Sequence, residues 1–354
     1  MLFGYPIQST QNNWVHECIC TAIREIHAFV DAGGAYPAWP DILPLAHRKV
    51  LKPKWGLRDR LRDYDRAARL LSQPQRDEVL AALAGENQIA DLLADAHDCI
   101  RADGLPQAIR TEVDALFDFS FGLLAKLSVR DDHYAAIYDA APAHMCPFCG
   151  TEYFDAPGAP REALDHYLAK SLYPFAAANL RNLVPMGYKC NSSYKAAKDI
   201  LRRDDGSHRR AFDPYVHAAV SITLDDSEPF GGTTEHTPRW EIRFDPETPE
   251  SLTWNEVFSL KDRYRRDHLD QDFRTWLDQF AKSAKQKGAV GTAAELMERL
   301  DWFEKLQAFA GLQDRAFLKT AVFRMLRLKC EAGDQRLLDQ LMSLVAEPDA
   351  LAIG

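Results

Sequence analysis

The feature that most constrains the fold is a break in helical periodicity near the middle of the chain. Up to about residue 141, apolar residues recur every three or four positions, as they do over residues 14 to 30. Such spacing predicts amphipathic helices. Residues 142–215 are instead rich in turn residues and short apolar pieces. The sequence therefore predicts a compact module between helical segments.

The same criteria assign the remaining elements. Further helices are predicted at 57–71, 75–84, 87–102, 107–126, 254–266, 270–287, 293–310, 314–332 and 335–345. Strands are predicted at 163–167, 182–185, 218–224 and 239–244, the last two joined by a loop at Gly231 and Gly232, with a helix at 191–203. The predicted fold class is α+β and mainly helical, with lobes at 1–141, 142–215 and 216–354.

Composition places the chain among ordinary globular proteins. Of its 354 residues, 46% are hydrophobic and 27% are charged. The first residues lack the basic and long apolar regions of a signal peptide, and no apolar run approaches the roughly 20 residues that a bilayer requires. We therefore expect a cytoplasmic protein without a membrane partner.

Seven cysteines, an odd number, favour free thiols or a metal site over a disulfide framework.

The overall charge limits nucleic-acid binding to a local surface. A formal net charge of −9 opposes binding to a polyphosphate, because affinity comes largely from Lys and Arg. Residues 181–210, however, carry eight basic and three acidic side chains. This run is either a solvated helix face or a phosphate-contacting surface. The second interpretation selects Arg181, Lys189, Lys198, Arg202 and Arg203 as contacts.

The central module contains residues suited to phosphodiester hydrolysis. That reaction needs a nucleophilic water, charge neutralisation on the phosphate and help for the leaving oxygen. Asp165 and Asn191 offer the hard oxygen ligands that one Mg²⁺ or Mn²⁺ prefers. As an isolated dipeptide, Asp165-His166 would instead indicate a turn with a capping Asp.

Three neighbouring residues complete the predicted catalytic set. His166 points to the opposite side of a strand from Asp165, and its imidazole, with a reference pKa near 6.5, suits a general base. Asn182 is placed to bond the backbone of the loop that carries the base. Lys195, one helical turn after Asn191, is placed to approach a phosphate.

The ordered motifs resemble the HNH, or ββα-metal, endonucleases. They are Cys146-Pro-Phe-Cys149-Gly, Leu-Asp-His-Tyr-Leu-Ala-Lys-Ser-Leu-Tyr-Pro at 164–174, Asn-Leu-Val-Pro at 182–185, Cys-Asn-Ser-Ser-Tyr-Lys at 190–195 and Phe-Asp-Pro-Tyr at 212–215. They look like the subset found in retron- and Septu-associated phage-defence systems. The resemblance covers roughly residues 144–216, about a fifth of the chain. It implies a ββα-metal module and a defence effector acting with a partner such as an ATPase.

Roles transfer only to matching positions. The resemblance assigns Asp165 and Asn191 to the catalytic metal, His166 to the general base and Asn182 to the middle, structural Asn. Ala169 replaces a proline usual in the family, which would loosen the loop but leave the chemistry intact.

The cysteines imply a structural zinc with an incomplete ligand set. Cys146, Cys149 and Cys190 are in register, whereas Gly187 stands where many members have a further Cys. Structural zinc sites have four ligands, and His144 is a candidate for the fourth. The alternative is a turn held by packing, with three free thiols.

These observations predict a metal-dependent DNA endonuclease. RNA, including tRNA, is an alternative target, because the same site would cleave either backbone. Two non-catalytic alternatives are an adaptor whose helical lobes bind another protein and a zinc-dependent DNA-binding module.

Overall fold

The chain forms two compact units. The computed structural model describes residues 1–159, 164–217, 219–231 and 237–346. The first unit contains Met1 and residues 3–148 and 152–218, and the second contains Leu2, residues 149–151 and the chain from 219 onward. The architecture is mainly helical with two small antiparallel hairpins, which confirms the predicted α+β class. The finer division at 1–141, 142–215 and 216–354 stays a prediction.

Seven α-helices build most of the first unit as described. They are α1 (Trp14–Asp31), α2 (Leu45–Leu51), α3 (Trp55–Arg69), α4 (Gln73–Glu86), α5 (Ile89–Leu93), α6 (Gln107–Lys126) and α7 (Val129–Ala140). Short 3-10 turns lie at Ile7–Gln11, Ala102–Gly104, Pro174–Ala176 and Leu180–Asn182. Helix α4 begins in a capping box formed by Ser72 and Gln75, which satisfies backbone donors that a helix start leaves open.

The predicted helix at 87–102 is wrong beyond Leu93. Asp95 has a φ of 56°, in the left-handed region that a right-handed helix cannot pass through. Side-chain contacts fix the backbone after Asp95. The Asp98 carboxylate accepts a hydrogen bond from the Cys99 amide and forms an ion pair with Arg202. The partner from position 202 lies far away in sequence, so local periodicity does not reveal this break.

A two-stranded hairpin and a short helix lie within residues 142–215, the range of the predicted central module. Strands β1 (Asp165–His166) and β2 (Leu183–Val184) are antiparallel, with Asp165 opposite Val184 and His166 opposite Leu183. Ala163, included in the predicted strand, lies outside the described residues. A π-helix at Lys189–Lys195 follows, and we call it the site helix.

The site helix is shorter than the predicted helix at 191–203. It ends at Lys195, and the next residue, Ala196, has a φ of 45°. Beyond it, the Arg209 guanidinium donates to the carbonyls of Asp199 and Arg202, at 2.6 and 2.8 Å. The first of these bonds takes the Asp199 carbonyl, which a helix continued to residue 203 would pair with the Arg203 amide.

One hydrophobic core joins the helices of the first unit to the hairpin. Leu164, Leu180 and Leu183 belong to the same buried cluster as the apolar faces of α1, α3 and α6. The ring of Phe117, on α6, packs edge-on against Phe175, with 5.3 Å between centroids. The helices therefore form a rigid platform for the short strands, which would be marginal alone.

The second unit pairs a small hairpin with helices. Its strands β3 (Ser221–Thr223) and β4 (Arg243–Asp245) are antiparallel and shorter than predicted, while Ala218 and Gly232 lie outside the described residues. The helices are α8 (Pro249–Phe258), α9 (Leu260–Arg263), α10 (Asp270–Gln286), α11 (Ala293–Ala310), α12 (Ala316–Glu331) and α13 (Gln335–Ala346), with a π-turn at Tyr264–Leu269 and a 3-10 turn at Gln313–Arg315.

Two differences from prediction stand out in this unit. The helix predicted at 254–266 begins earlier, at a capping box formed by Thr248, and is interrupted at Ser259, whose φ is 51°.

Across the parts of the chain that the structure describes, no helix is both long and apolar enough to cross a membrane.

Removing the Phe175 ring should destabilise the first unit. Phe175→Ala deletes a fully buried ring against Phe117, for an expected loss of about 3–5 kcal/mol in the free energy of unfolding. Phe309→Ala is the control, because that ring is 92% exposed and its loss should change little. Urea denaturation measures both, and equal midpoints for the two variants would contradict this account of the core.

Candidate functional site

Asp165 lies on β1 and is almost completely buried. The carboxylate oxygen Oδ2 lies 3.0 Å from the Lys195 ammonium, in an ion pair that water hardly reaches. Burial raises the pKa of the Asp165 carboxyl, and the nearby Lys195 charge opposes that rise. The geometry therefore puts a negative group in a low-dielectric setting where a cation stabilises it strongly.

Lys195 fastens the site helix to β1. Its side chain is 1% exposed, and its ammonium also donates to the backbone carbonyl of His166 at 2.8 Å. The sequence predicts that Lys195 approaches a phosphate, but here the ammonium is engaged with β1. The difference arises because its counter-charge, Asp165, lies across the hairpin and thirty positions earlier in sequence.

His166 is held in a single, defined ring orientation. Its Nε2 lies 3.0 Å from the carbonyl oxygen of Ala177, and since a carbonyl can only accept, Nε2 carries the proton. The neutral ring then has its lone pair on Nδ1. Burial lowers the pKa of His166 to about 4, so the imidazole is neutral at pH 7. The Phe121 ring packs on it at 4.5 Å between centroids.

Asn182 braces the loop that follows β1. It is fully buried, and its Oδ1 accepts from the Leu168 amide at 2.6 Å. Its Nδ2 donates to the carbonyls of Leu168 and Ala176, at 3.0 and 3.2 Å. One side chain thus bonds the backbone at both ends of the stretch 168–176. The next residue, Ala177, supplies the carbonyl that orients His166.

Asn191 is half-buried on the site helix. Its backbone amide donates to the Gly187 carbonyl at 2.9 Å, and its own carbonyl accepts from Ala196 at 2.7 Å. Asn191 precedes Lys195 by four positions, a little less than one turn of this π-helix. The site helix therefore carries both residues, and Lys195 contacts Asp165.

Two supporting residues are not recognisable from the sequence. Glu86, at the end of α4, is fully buried and accepts from the Phe175 amide at 2.7 Å. Burial raises the pKa of Glu86 well above its usual range. Phe121, on α6, covers part of the His166 ring. Both reach the site from helices that carry no local signal of catalysis.

The predicted nucleic-acid contacts differ in how much charge they expose. Arg181 pairs with Asp213 and Arg202 pairs with Asp98. Arg203 donates to the carbonyl of His208 at 3.0 Å. The side chains of Lys189 and Lys198 are exposed. The positive charge of Arg181 and Arg202 is therefore partly neutralised within the protein.

The three predicted zinc ligands are brought together. The sulfurs of Cys146, Cys149 and Cys190 all lie within 4.8 Å of one another, and each cysteine is fully buried. Such a thiol cluster can hold a metal ion such as zinc. His144, considered as a fourth ligand, instead stacks on Tyr138, with 3.8 Å between ring centroids. Among the described residues, the cluster comprises these three cysteines.

Replacing Asn182 should lower the free energy of unfolding, because its side chain braces the loop after β1. Asn182→Ala removes the partners of the buried Leu168 amide and carbonyl, at about 1–3 kcal/mol for such a group. Asn12→Ala, at an exposed position, should change the free energy of unfolding little. Hydrogen exchange should show faster exchange at Leu168 in the first variant, and unchanged exchange there would contradict the bracing role.

No protein-family model, no curated protein and no solved structure matches the chain.

Proposed function

We propose that the protein is a metal-dependent HNH-type endonuclease that hydrolyses phosphodiester bonds, with DNA as the favoured substrate. The observation that carries the proposal is the convergence of four predicted site residues on one small hairpin, its adjoining loop and the site helix. Asp165 and His166 occupy β1, Asn182 braces the adjoining loop, and the site helix contacts both β1 residues through Lys195. The resemblance adds a role in phage defence beside a partner such as an ATPase.

The Asp165 carboxylate fits a hard divalent cation. Its Oδ2 is buried and receives no well-directed hydrogen bond from the described residues, although the Lys195 charge lies nearby. A buried oxygen with unused lone pairs is the type of ligand that Mg²⁺ or Mn²⁺ prefers. Asp165 and the amide oxygen of Asn191 would hold the ion. When bound, such an ion neutralises charge on a phosphate and stabilises a departing oxygen.

His166 is prepared to act as a general base. Its ring is neutral at pH 7, and the bond from Nε2 to the Ala177 carbonyl leaves Nδ1 as the acceptor. A water beside Nδ1 would pass its proton there as the water oxygen attacks phosphorus. Asn182 keeps the Ala177 segment in place and hence the direction of the ring. Orientation of the base is therefore built into the backbone.

Lys195 is the group that must move for this chemistry. Its ammonium lies where a cation would neutralise Asp165, so the two cations compete for the same carboxylate. A lysine released from Asp165 would carry its charge to a nearby phosphate, which is the role predicted from the sequence. The structure with Lys195 docked on β1 then corresponds to a resting state.

Substrate capture requires help beyond the module itself. The net charge is −9, and two of the five predicted contacts are arginines already paired with carboxylates. The exposed Lys189 and Lys198 provide a small positive surface. A partner that adds positive charge would supply the remaining affinity. RNA is the alternative substrate, since the same groups act on either backbone.

One observation favours a non-catalytic adaptor instead. A buried Lys195–Asp165 pair is also what a purely structural module would use to fix the site helix on β1. In that case Lys195 never leaves Asp165 and the module serves only to present a binding surface. Cleavage assays and metal binding separate the two functions.

His166→Ala should abolish most of the cleavage. Plasmid, single-stranded DNA and RNA are incubated with the protein, Mg²⁺ or Mn²⁺ and any activating partner, and product is measured over time. Loss of the base should lower the rate by about 10²–10⁴-fold. His208→Ala is the matched control, because that imidazole pairs with Asp95 at the surface. No cleavage of any substrate by the wild type, or equal rates for both variants, would refute the enzyme hypothesis.

The cleavage rate should not rise with an apparent pKa near the reference value of histidine. A base must be deprotonated, and burial lowers the pKa of His166 to about 4. Activity should therefore stay level on this account between about pH 6 and pH 8, and fall only as the pH drops toward 4. Initial rates of wild type across this range test it. An apparent pKa near the reference value of about 6.5 would show that the working base is a different or more exposed group.

Lys195→Met should make the first unit depend on a divalent cation. The variant leaves the Asp165 carboxylate buried without its counter-charge, so Mn²⁺ bound there should restore stability. Binding at a hundredfold excess over Kd contributes about 2.7 kcal/mol, and the gain in wild type should be smaller because the ammonium competes. Thermal unfolding with and without Mn²⁺ measures both. Equal responses would indicate that no cation binds Asp165.

A further inference from the structure

The thiol cluster lacks one ligand for a tetrahedral metal site. Cys146 and Cys149 lie on one turn, and Cys190 comes from the site helix, with all three sulfurs within 4.8 Å of one another. Zinc in a structural site takes four ligands. If the second pair had the spacing of Cys146 and Cys149, three positions apart, the fourth ligand would come from position 187, which is a glycine.

The space that a side chain at position 187 would occupy is filled by Glu152. A Cβ built on Gly187 would lie 2.5 Å from Oε2 of Glu152 and 2.6 Å from its Cδ. Cβ atoms almost never approach other heavy atoms this closely, so a residue larger than Gly at 187 would require Glu152 to move from its observed position. Position 187 thus offers no ligand, and the Glu152 carboxylate occupies the space where its side chain would lie.

Glu152 is tied to both segments that carry the cysteines. Its backbone carbonyl accepts from the Cys146 amide at 2.8 Å. Its Oε1 accepts from the Lys189 amide at 2.9 Å, and its Oε2 lies 3.4 Å from the Cys190 amide. The carboxylate therefore lies at the start of the site helix, beside the backbone of one of the three thiols.

We propose that Glu152 is the fourth ligand of a zinc ion held by Cys146, Cys149 and Cys190. Glutamate oxygens bind zinc at about 2.0–2.2 Å, and rotation of the flexible Glu152 side chain toward the sulfurs completes a tetrahedral set. Binding to three thiols displaces three protons, so zinc uptake rises with pH. The proposal concerns a structural ion and stands independently of nuclease activity.

The bound zinc would link two segments of the chain. It would join the turn that carries Cys146 and Cys149 to the site helix, whose other end carries Lys195. Loss of the ion would therefore loosen the helix that presents Asn191 and Lys195 to Asp165. Zinc then supports the position of the proposed catalytic residues without contacting substrate.

Three variants test the ligand assignment. Glu152→Ala removes the carboxylate, and the double variant Glu152→Gly with Gly187→Cys supplies a fourth thiol, because loss of the Glu152 Cβ, 2.8 Å from a Cβ at 187, also clears the space that the new side chain needs. Glu298→Ala is the control, because its side chain is 75% exposed. Zinc per chain and zinc affinity are measured by chelator competition. Glu152→Ala should weaken binding on the order of tenfold or more, while the double variant and the control should bind at least as tightly as wild type.

Spectroscopy counts the ligands directly. Cobalt-substituted wild type should show sulfur-to-metal charge transfer from three thiolates, and the double variant should show about one third more intensity. X-ray absorption of the wild-type zinc protein, which needs no variant, should give three sulfurs and one oxygen. A site of two or four sulfurs, no zinc bound by wild type, or unchanged affinity in Glu152→Ala would each overturn the proposal.

Discussion

The buried contact between Lys195 and Asp165 is the interaction on which the central module depends. Two charged groups are withdrawn from water, which is costly unless each finds a close partner. Lys195 meets the Asp165 carboxylate at 3.0 Å and the His166 carbonyl at 2.8 Å, so one ammonium joins the site helix to β1. Strands of two residues have few ladder bonds of their own. The ion pair and the core beneath them keep the hairpin and helix together.

This arrangement makes structure and chemistry compete for one carboxylate. A divalent ion at Asp165 would replace the lysine and release it toward a phosphate. The same exchange would loosen the attachment of the site helix unless another bond retained it. A zinc ion bound by Cys190 at the opposite end of that helix would serve this purpose. The two proposed metal sites would then have separate roles, one catalytic and one structural.

The helical part of the first unit explains how such a small module keeps a defined geometry. Glu86 anchors the Phe175 segment from α4, Asn182 ties that segment to the strand, and Ala177 orients His166. Burial then lowers the pKa of His166, which keeps the ring neutral. The large scaffold therefore acts on the base mainly through backbone hydrogen bonds and desolvation.

The sequence predicted what local patterns can encode. Long helices such as α1, α6 and α11 follow from apolar periodicity, and the two hairpins follow from short apolar runs near turn residues. Breaks at Asp95 and Ala196 were not predictable, because the backbone there takes a positive φ, and the segment after Asp95 also pairs with Arg202, far away in sequence.

At the site, the residue types were recognisable but not all of their contacts. The loop-bracing bonds of Asn182 agree with its expected position, whereas the docking of Lys195 on Asp165 depends on tertiary packing. Glu86, Phe121 and Glu152 carry no motif, since they contribute only through where the fold puts them. Local spacing thus identifies candidate chemistry, and long-range contacts decide which groups are available for it.

The most direct test of the central claim is the location of the divalent ion. Crystals of the His166→Ala variant are grown with Mn²⁺ and a DNA oligonucleotide, and anomalous diffraction is measured at the manganese edge. Our account predicts a peak between Asp165 and Asn191, with the Lys195 ammonium moved off the carboxylate. A structure without that peak, in which Lys195 still lies 3.0 Å from Asp165, would contradict it.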